Sequence, residues 1–591
     1  MTDRFTRTLA FGATILADGR VRFRLWAPGQ TSVAVMIGNG PALSMHPEFG
    51  GWFTATAACP AGARYRYRLA DGTLVPDPAA RAQADDVHGQ SLVVDPTTYR
   101  WRNPGWTGRP WRETVLYELH AGVMGGFAGV AGELPRLAAL GVTAVELMPV
   151  NDFPGQRNWG YDGVLPYAPD TAYGSPDDLK ELVDTAHDLG LMIFLDVVYN
   201  HFGPDGNYLG LYAAHMFRED VHTPWGAALD FRRPEVRCFF TENALYWLME
   251  YRFDGLRFDA VHAITEPDWL DEMAAEIRTT VEPGRHVHLV LENDRNAASH
   301  LSGDFDAQWN DDGHHVLHVL LTGESEGYYS DYVDATAQQL ARVLAEGFVF
   351  QGEESPYHGY PRGEPTTGLP PTAFVLFLQN HDQIGNRALG ERLTALADPA
   401  ALEAAIAVQL LCPQIPLIFM GEETASRSPF LFFTDHGPDL ATAVRDGRRN
   451  EFARFPAFAD AAQREQILDP NDTATFQRSI PIPDADRTTL RQALYRRLLA
   501  VRHDEIMPRL DGSCCLGADV AGQAAVLARW RLGDGTVLIL ATNLGDSPMS
   551  TEPLRGRLIF ATSDVAGRHA LAGRLDACCT VALLDRSERS S

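Results

Sequence analysis

Short apolar runs, each closed by a polar or acidic residue, recur through the middle of the chain. They are ETVLYELH (113–120), VTAVELMPV (142–150), LMIFLDVVYN (191–200), FDGLRFD (253–259), VHLVLE (287–292), FDAQWN (305–310), AFVLFLQNHD (373–382) and PQIPLIFMGEE (413–423). Near-continuous apolar character suits strands buried on both faces of a parallel sheet. Segments of helical periodicity lie between them. In the stretch from Ser175 to Gly190, Ser175 caps the start, Pro176 fits the first turn, Asp178 completes a box-like pair and Gly190 ends the helix. Leu179, Leu182, Val183 and Ala186 form its buried stripe. A second helix runs from Pro234 to about Tyr251. Eight such strand–helix units predict a (β/α)₈ barrel over 112–505.

The pattern differs on either side. VRFRLWAP (21–28), TSVAVMI (31–37), GWFTATA (51–57) and ARYRYRLA (63–70) are short, largely alternating runs broken by Gly, Pro and Asn turns. They predict an N-terminal β-sandwich over 1–98, of an immunoglobulin-like or carbohydrate-binding kind. VDPTTYRWRNPGWTGRPW (94–111) reads as a linker, and the Asp- and Pro-rich stretch 437–487 as loops. A helix around 490–503 closes the barrel, and QAAVLARWRL (523–532), TVLILATNL (536–544) and TVALLD (580–585) predict a C-terminal β-sandwich over 506–591.

Composition narrows the class. With 591 residues the chain exceeds one ordinary core, in keeping with several domains. Its net charge of −27 opposes binding to nucleic acid or anionic membranes and suits an uncharged substrate. The N-terminus lacks the apolar core of a signal peptide, and no run is long enough to span a bilayer, so a cytoplasmic location is expected. Seven cysteines without a spaced framework read as reduced thiols, and Lys180 is the single lysine.

Candidate chemistry sits at three strand ends. Asp259, Glu292 and Asp382 each close an apolar run, on the face where barrel enzymes gather their reactive groups. Arg257 and Asp259 are two apart in a strand and share a face, so the guanidinium favours the ionised carboxylate that a nucleophile requires. Glu292 follows VHLVL, whose apolar surroundings would raise its pKa as a general acid needs. Asp382 is placed to hold sugar hydroxyls. The plainer reading is a set of buried salt bridges supporting the barrel, but three carboxylates on separate strand ends favour glycosidic bond cleavage.

The blocks DVVYNH (196–201), DGLRFDAVH (254–262), LEND (291–294) and QNHDQ (379–383) resemble the four hallmark motifs of the α-amylase superfamily of glycoside hydrolases. That resemblance implies Asp259 as nucleophile, Glu292 as acid/base and Asp382 as transition-state stabiliser. It also implies Asp196, His201, Arg257 and His381 as orienting, sugar-binding neighbours, and Tyr161 as the ring on which the distorted sugar stacks. Within the superfamily, ELMPVNDFPGQRNWGYDGVLPYAP, HTPWGAALDF, DAQWNDDGHHVLHVLLTGE and FLFFTDH resemble the trehalohydrolases that act on malto-oligosyltrehalose. Such enzymes cut the α-1,4 bond next to a terminal trehalose, which implies a malto-oligosyltrehalose or α-1,4-glucan substrate. Trp225, in HTPWG, falls in a loop the resemblance links to substrate recognition; a lone loop Trp is as often a packing residue, and the two readings weigh equally. His314 and His318 share a helical face in a metal-like spacing, but helical polar faces produce this easily, and neither a catalytic metal nor a cofactor is expected; the resemblance of Asn200 to a calcium ligand of some α-amylases leaves a structural calcium open. A branching transglycosylase and a catalytically silent glucan-binding protein are the competing readings.

Overall fold

Each of the eight apolar runs forms a strand of one closed parallel barrel in the computed structural model, which describes residues 5–223 and 225–586. The strands are β1 (Leu116–Leu119), β2 (Ala144–Leu147), β3 (Met192–Val197), β4 (Gly255–Phe258), β5 (His288–Leu291), β6 (Ala307–Trp309), β7 (Phe374–Phe377) and β8 (Ile415–Phe419). Each pairs with its sequence neighbour, and β1 closes on β8 with Leu116 beside Leu417. Side chains alternate between two faces. Leu116, Ala144, Phe194, Val290, Ala307, Val375 and Ile415 fill the barrel's interior, whereas Val145, Ile193, Leu256, Leu289 and Leu376 meet the surrounding helices. Gly255 is demanded by this packing: a β-carbon there would lie 2.1 Å from the Phe194 ring.

The helices carry the signals read from the sequence. Pro176–Asp188 begins with a capping box in which Ser175 Oγ accepts from the Asp178 N–H and the Asp178 side chain accepts from Ser175 N–H. Pro234–Met249 and Thr488–Val501 lie where expected. The stretch 437–487, expected to be loops, instead contains the helix Pro438–Glu451 and the shorter Thr473–Arg478. The longer of the two buries none of its residues fully, so no apolar stripe marks it in the sequence.

Two antiparallel sheets, of four and five strands, form the N-terminal segment around Phe23, Val35, Tyr65 and Tyr67. The C-terminal segment is a five-stranded antiparallel sheet with a two-stranded ladder and the helix Asp564–Leu571. Residues 1–4 and 587–591, at the ends of the two expected flanking domains, and Pro224 of the HTPWG segment lie outside the described residues. The 94–111 stretch lies against the barrel: Trp106 donates to buried Asp254 at 2.8 Å and Trp111 to the Thr372 carbonyl at 2.7 Å. Among the described residues no helix is long and apolar enough to cross a membrane.

Candidate active site

The ends of β1 to β8 surround a cavity of about 860 Å³. Six of the nine residues singled out in the sequence line it: Tyr161, His201, Trp225, Asp259, Glu292 and Asp382. The other three, Asp196, Arg257 and His381, are buried directly beneath. The barrel therefore brings all nine together from β3, β4, β5 and β7 and from the loops after β2, β3 and β7.

Arg257 is the hub. Its Nη1 donates to Asp196 Oδ2 at 2.7 Å and to Asp259 Oδ1 at 2.8 Å, and its Nη2 lies 3.7 Å from Glu292 Oε2. The guanidinium is fully buried and rests on the face of Trp309, 4.2 Å from the ring centre. Asp259 also accepts from Asn200 Nδ2 at 3.0 Å. Just past Asp259 the chain turns sharply, with Ala260 in the left-handed region (φ 40°), a conformation that costs an alanine energy. That turn aims the Ala260 N–H at Glu292 Oε2, 2.5 Å away. Burial raises the Glu292 pKa, against the opposing pull of Arg257. Asp196, still more enclosed, is pushed up by burial to about 7 despite Arg257.

On the opposite wall, Tyr161 donates to Asp196 Oδ2 at 2.6 Å, and its oxygen lies 2.8 Å from His381 Nε2. The Tyr161 and His381 rings stack with centroids 5.1 Å apart. Asn380 caps the short helix His381–Gly385, its Oδ1 accepting from the Gln383 N–H at 2.8 Å, and this turn projects Asp382 into the cavity. Trp225, 46% exposed on the hairpin Phe217–Thr223/Gly226–Leu229, stacks on His201 at 5.5 Å. It is thus a wall of the cavity and not a packing residue of the loop interior.

His314 and His318, the metal-like pair, are held within the protein. His314 Nδ1 meets the Leu378 carbonyl at 2.8 Å, and His318 Nε2 meets Glu324 at 2.8 Å. Their neighbour His315 lines the cavity, and neither of its ring nitrogens has a hydrogen-bond partner among the described residues.

Several cavity residues escaped the sequence reading. Asp311, at the start of the helix Asp311–Thr322, accepts from Gln383 at 3.3 Å, and burial beside Glu292 pushes its pKa well up. Tyr328, Tyr357 and Arg362 enter from loops distant in sequence and from the small hairpin Glu353–Ser355/Tyr360–Arg362. Beneath the floor, Glu118 and Glu146 stand side by side on β1 and β2. The only available signal was an acid at the same place in two apolar runs, LYEL and VEL.

The arrangement offers a carboxylate held by a guanidinium, a second carboxyl held by burial toward its protonated form, and aromatic rings over a polar cleft. That set suits acid-assisted displacement at an acetal carbon.

Comparison with known proteins agrees. Residues 105–222 match the family model for the alpha amylase catalytic domain, and residues 516–582 match a domain of unknown function, DUF3459. The malto-oligosyltrehalose trehalohydrolase of Deinococcus radiodurans is 41% identical, with 90% of this chain and 91% of that protein covered. That of Saccharolobus solfataricus is 40% identical over 80% and 83%. A solved structure from Salmonella typhimurium, provisionally called an alpha amylase, superposes with a TM-score of 0.92 at 43% identity, covering 98% of this chain and all of that one.

Proposed function

The chain belongs to the malto-oligosyltrehalose trehalohydrolases of the α-amylase family, and from that premise we propose that it hydrolyses the α-1,4 bond next to a terminal trehalose with retention of configuration. Asp259 attacks the anomeric carbon while Glu292 protonates the departing trehalose oxygen. Glu292, now a carboxylate, then takes a proton from water as it releases the glucan from Asp259. Asp382 and His381 hold sugar hydroxyls as the ring flattens, and Asp196 fixes Arg257.

The observation that carries this reading is the single guanidinium between the two carboxyls, 2.8 Å from Asp259 and 3.7 Å from Glu292. It supports a close pair sharing one anomeric carbon, as double displacement requires at a spacing of roughly 5–5.5 Å. Inverting enzymes keep the pair farther apart to admit a water between them. The electrostatic asymmetry fits the same division of labour: Asp259 takes the direct charge-assisted bond to Arg257, whereas Glu292 has the guanidinium only at 3.7 Å and burial is the largest influence on its pKa, raising it.

Product analysis tests the assignment. Maltotriosyltrehalose should give maltotriose and free trehalose much faster than maltopentaose, of equal length, is cut, because rejection of a poorly fitting leaving group appears in kcat/KM. Equal rates on the two would reduce the reading to a general α-glucan hydrolase. New α-1,6 branches from amylose would instead make it a transferase.

A further inference from the structure

We infer that Glu118, at the top of β1, is a positioning residue for this reaction: it grips both the ring and the backbone of His381 and so fixes the imidazole as a proton-bearing donor to Tyr161, the ring that lines the cavity above it. The grip is two-handed. Glu118 Oε1 lies 2.5 Å from His381 Nδ1, and Oε2 accepts the His381 backbone N–H at 3.2 Å. Glu118 is itself 1% exposed and takes no place in the cavity wall, so it acts on substrate only through His381.

Its neighbours determine where the protons sit. Tyr161 donates its hydroxyl hydrogen to Asp196, so toward His381 the Tyr161 oxygen is an acceptor. With Asp196 ionised, that arrangement has His381 Nε2 donate to Tyr161 and Nδ1 donate to Glu118. Both ring nitrogens are donors only in the imidazolium form. The other charged groups around the ring come from several elements: Asp382 on its own turn at 3.5 Å, Asp196 from β3, Arg257 from β4, Glu146 from β2 and His120 just beyond β1. Trp159 and Trp309 flank it and keep water away. Burial alone would lower the His381 pKa, but the Asp382 and Glu118 carboxylates reverse this and push it up to about 9. Without Glu118 the ring could tilt or shed its Nδ1 proton, and the donor at Nε2 would no longer be assured.

The inference rests on the retaining-hydrolase reading, and the test separates the two. α-Maltosyl fluoride is the substrate of choice, because departing fluoride needs no proton from Glu292 and the alkaline limb then reports on His381. Turnover by the native protein should hold to about pH 9 and fall above it. In Glu118→Gln, kcat/KM should drop roughly 10- to 100-fold, the range of coupling for directly bonded partners, and the alkaline limb should move to lower pH. In Glu118→Asp the charge remains, so the limb should stay while the rate falls. Combined with His381→Gln, either Glu118 variant should lose no more than His381→Gln alone, because residues acting as a unit are not additive. An unmoved limb in Glu118→Gln, or additive losses in the double variants, would overturn the inference. If Glu118→Gln yields no folded protein, the Glu118→Asp/His381→Gln combination decides by the same criterion. Full activity of His381→Gln on the fluoride would instead remove the sugar-contacting role of His381, and with it part of the parent reading.

Discussion

Charge is divided among buried carboxyls by what each touches, and single substitutions should expose that division. Asp259→Asn keeps shape and polarity but cannot form the glycosyl ester, so turnover should fall roughly a thousandfold or more, with thermal stability nearly unchanged. A variant keeping a tenth of native turnover would count against the assignment. Glu292→Gln should be comparably slow on malto-oligosyltrehalose yet recover with azide on a substrate whose leaving group needs no proton. Since burial raises the Glu292 pKa, native activity on the natural substrate should decline as pH rises through that raised value, when the acid loses its proton. Glu146 has no such task. Neither of its carboxyl oxygens finds a hydrogen-bond partner among the described residues, and burial, then Glu118, drives its pKa well above the ordinary value. A group whose pKa rises on folding contributes stability only at low pH, and that contribution is lost as pH climbs toward the folded pKa. Glu146→Gln cannot suffer this loss, so its melting temperature relative to the native protein should improve steadily from pH 5 to pH 8. A difference that is flat with pH would show that Glu146 is not held neutral.

The elements were legible from the sequence where periodicity governs, and obscure where only closure of the fold assembles a site. Strand β3 was read from LMIFLDVVYN, and the Pro176–Asp188 helix from its caps, because burial on both faces and capping chemistry leave local marks. Glu118 lay in a correctly read strand but could not be tied to His381, since those residues meet only when β1 closes near β7 across 263 positions. The helix Pro438–Glu451 went unread because an exposed helix with no buried residue lacks the stripe that reveals one, although it supplies Val444, Arg448 and Glu451 to the cavity. The sequence leaves Trp225 equally readable as a packing or a recognition residue, because only the folded hairpin sets nearly half the indole exposed over His201. Trp225→Ala should therefore lower kcat/KM on maltotriosyltrehalose by roughly threefold to tenfold, the worth of one aromatic contact, and affect maltopentaose less. Equal loss on both substrates would make the indole a general glucan contact with no part in trehalose selection.

Across the whole molecule, one continuous apolar cluster runs from Phe23 and Tyr65 in the N-terminal sheets through the barrel's outer layer to Trp530 and Leu540 in the C-terminal sheet. The seams are specific as well as apolar. Phe11 packs edge-on against Phe239 of the Pro234–Met249 helix at 5.0 Å and against Trp52 at 4.6 Å, while the Ala10 N–H is taken by Glu242 at 2.9 Å. At the other end Trp530 donates to the Leu344 carbonyl at 3.2 Å, and Thr580 to that of Ala404 at 2.8 Å. Interfaces between loosely joined domains are more polar than this apolar seam, so the three segments should lose structure together. Phe11→Ala tests the coupling, because it empties the seam without touching the catalytic cavity. The loss of a buried phenylalanine costs on the order of 3–5 kcal/mol. If the segments are coupled, that cost should lower the temperature at which the barrel itself melts, read by loss of glycosidase activity after heating, in step with the near-ultraviolet signal of the whole chain. At 25 °C, turnover per folded molecule should match the native protein. Melting of the N-terminal sheets ahead of a barrel that inactivates at its original temperature would show instead that the flanking sheets are passengers, and that the continuous cluster is a packing contact without shared stability.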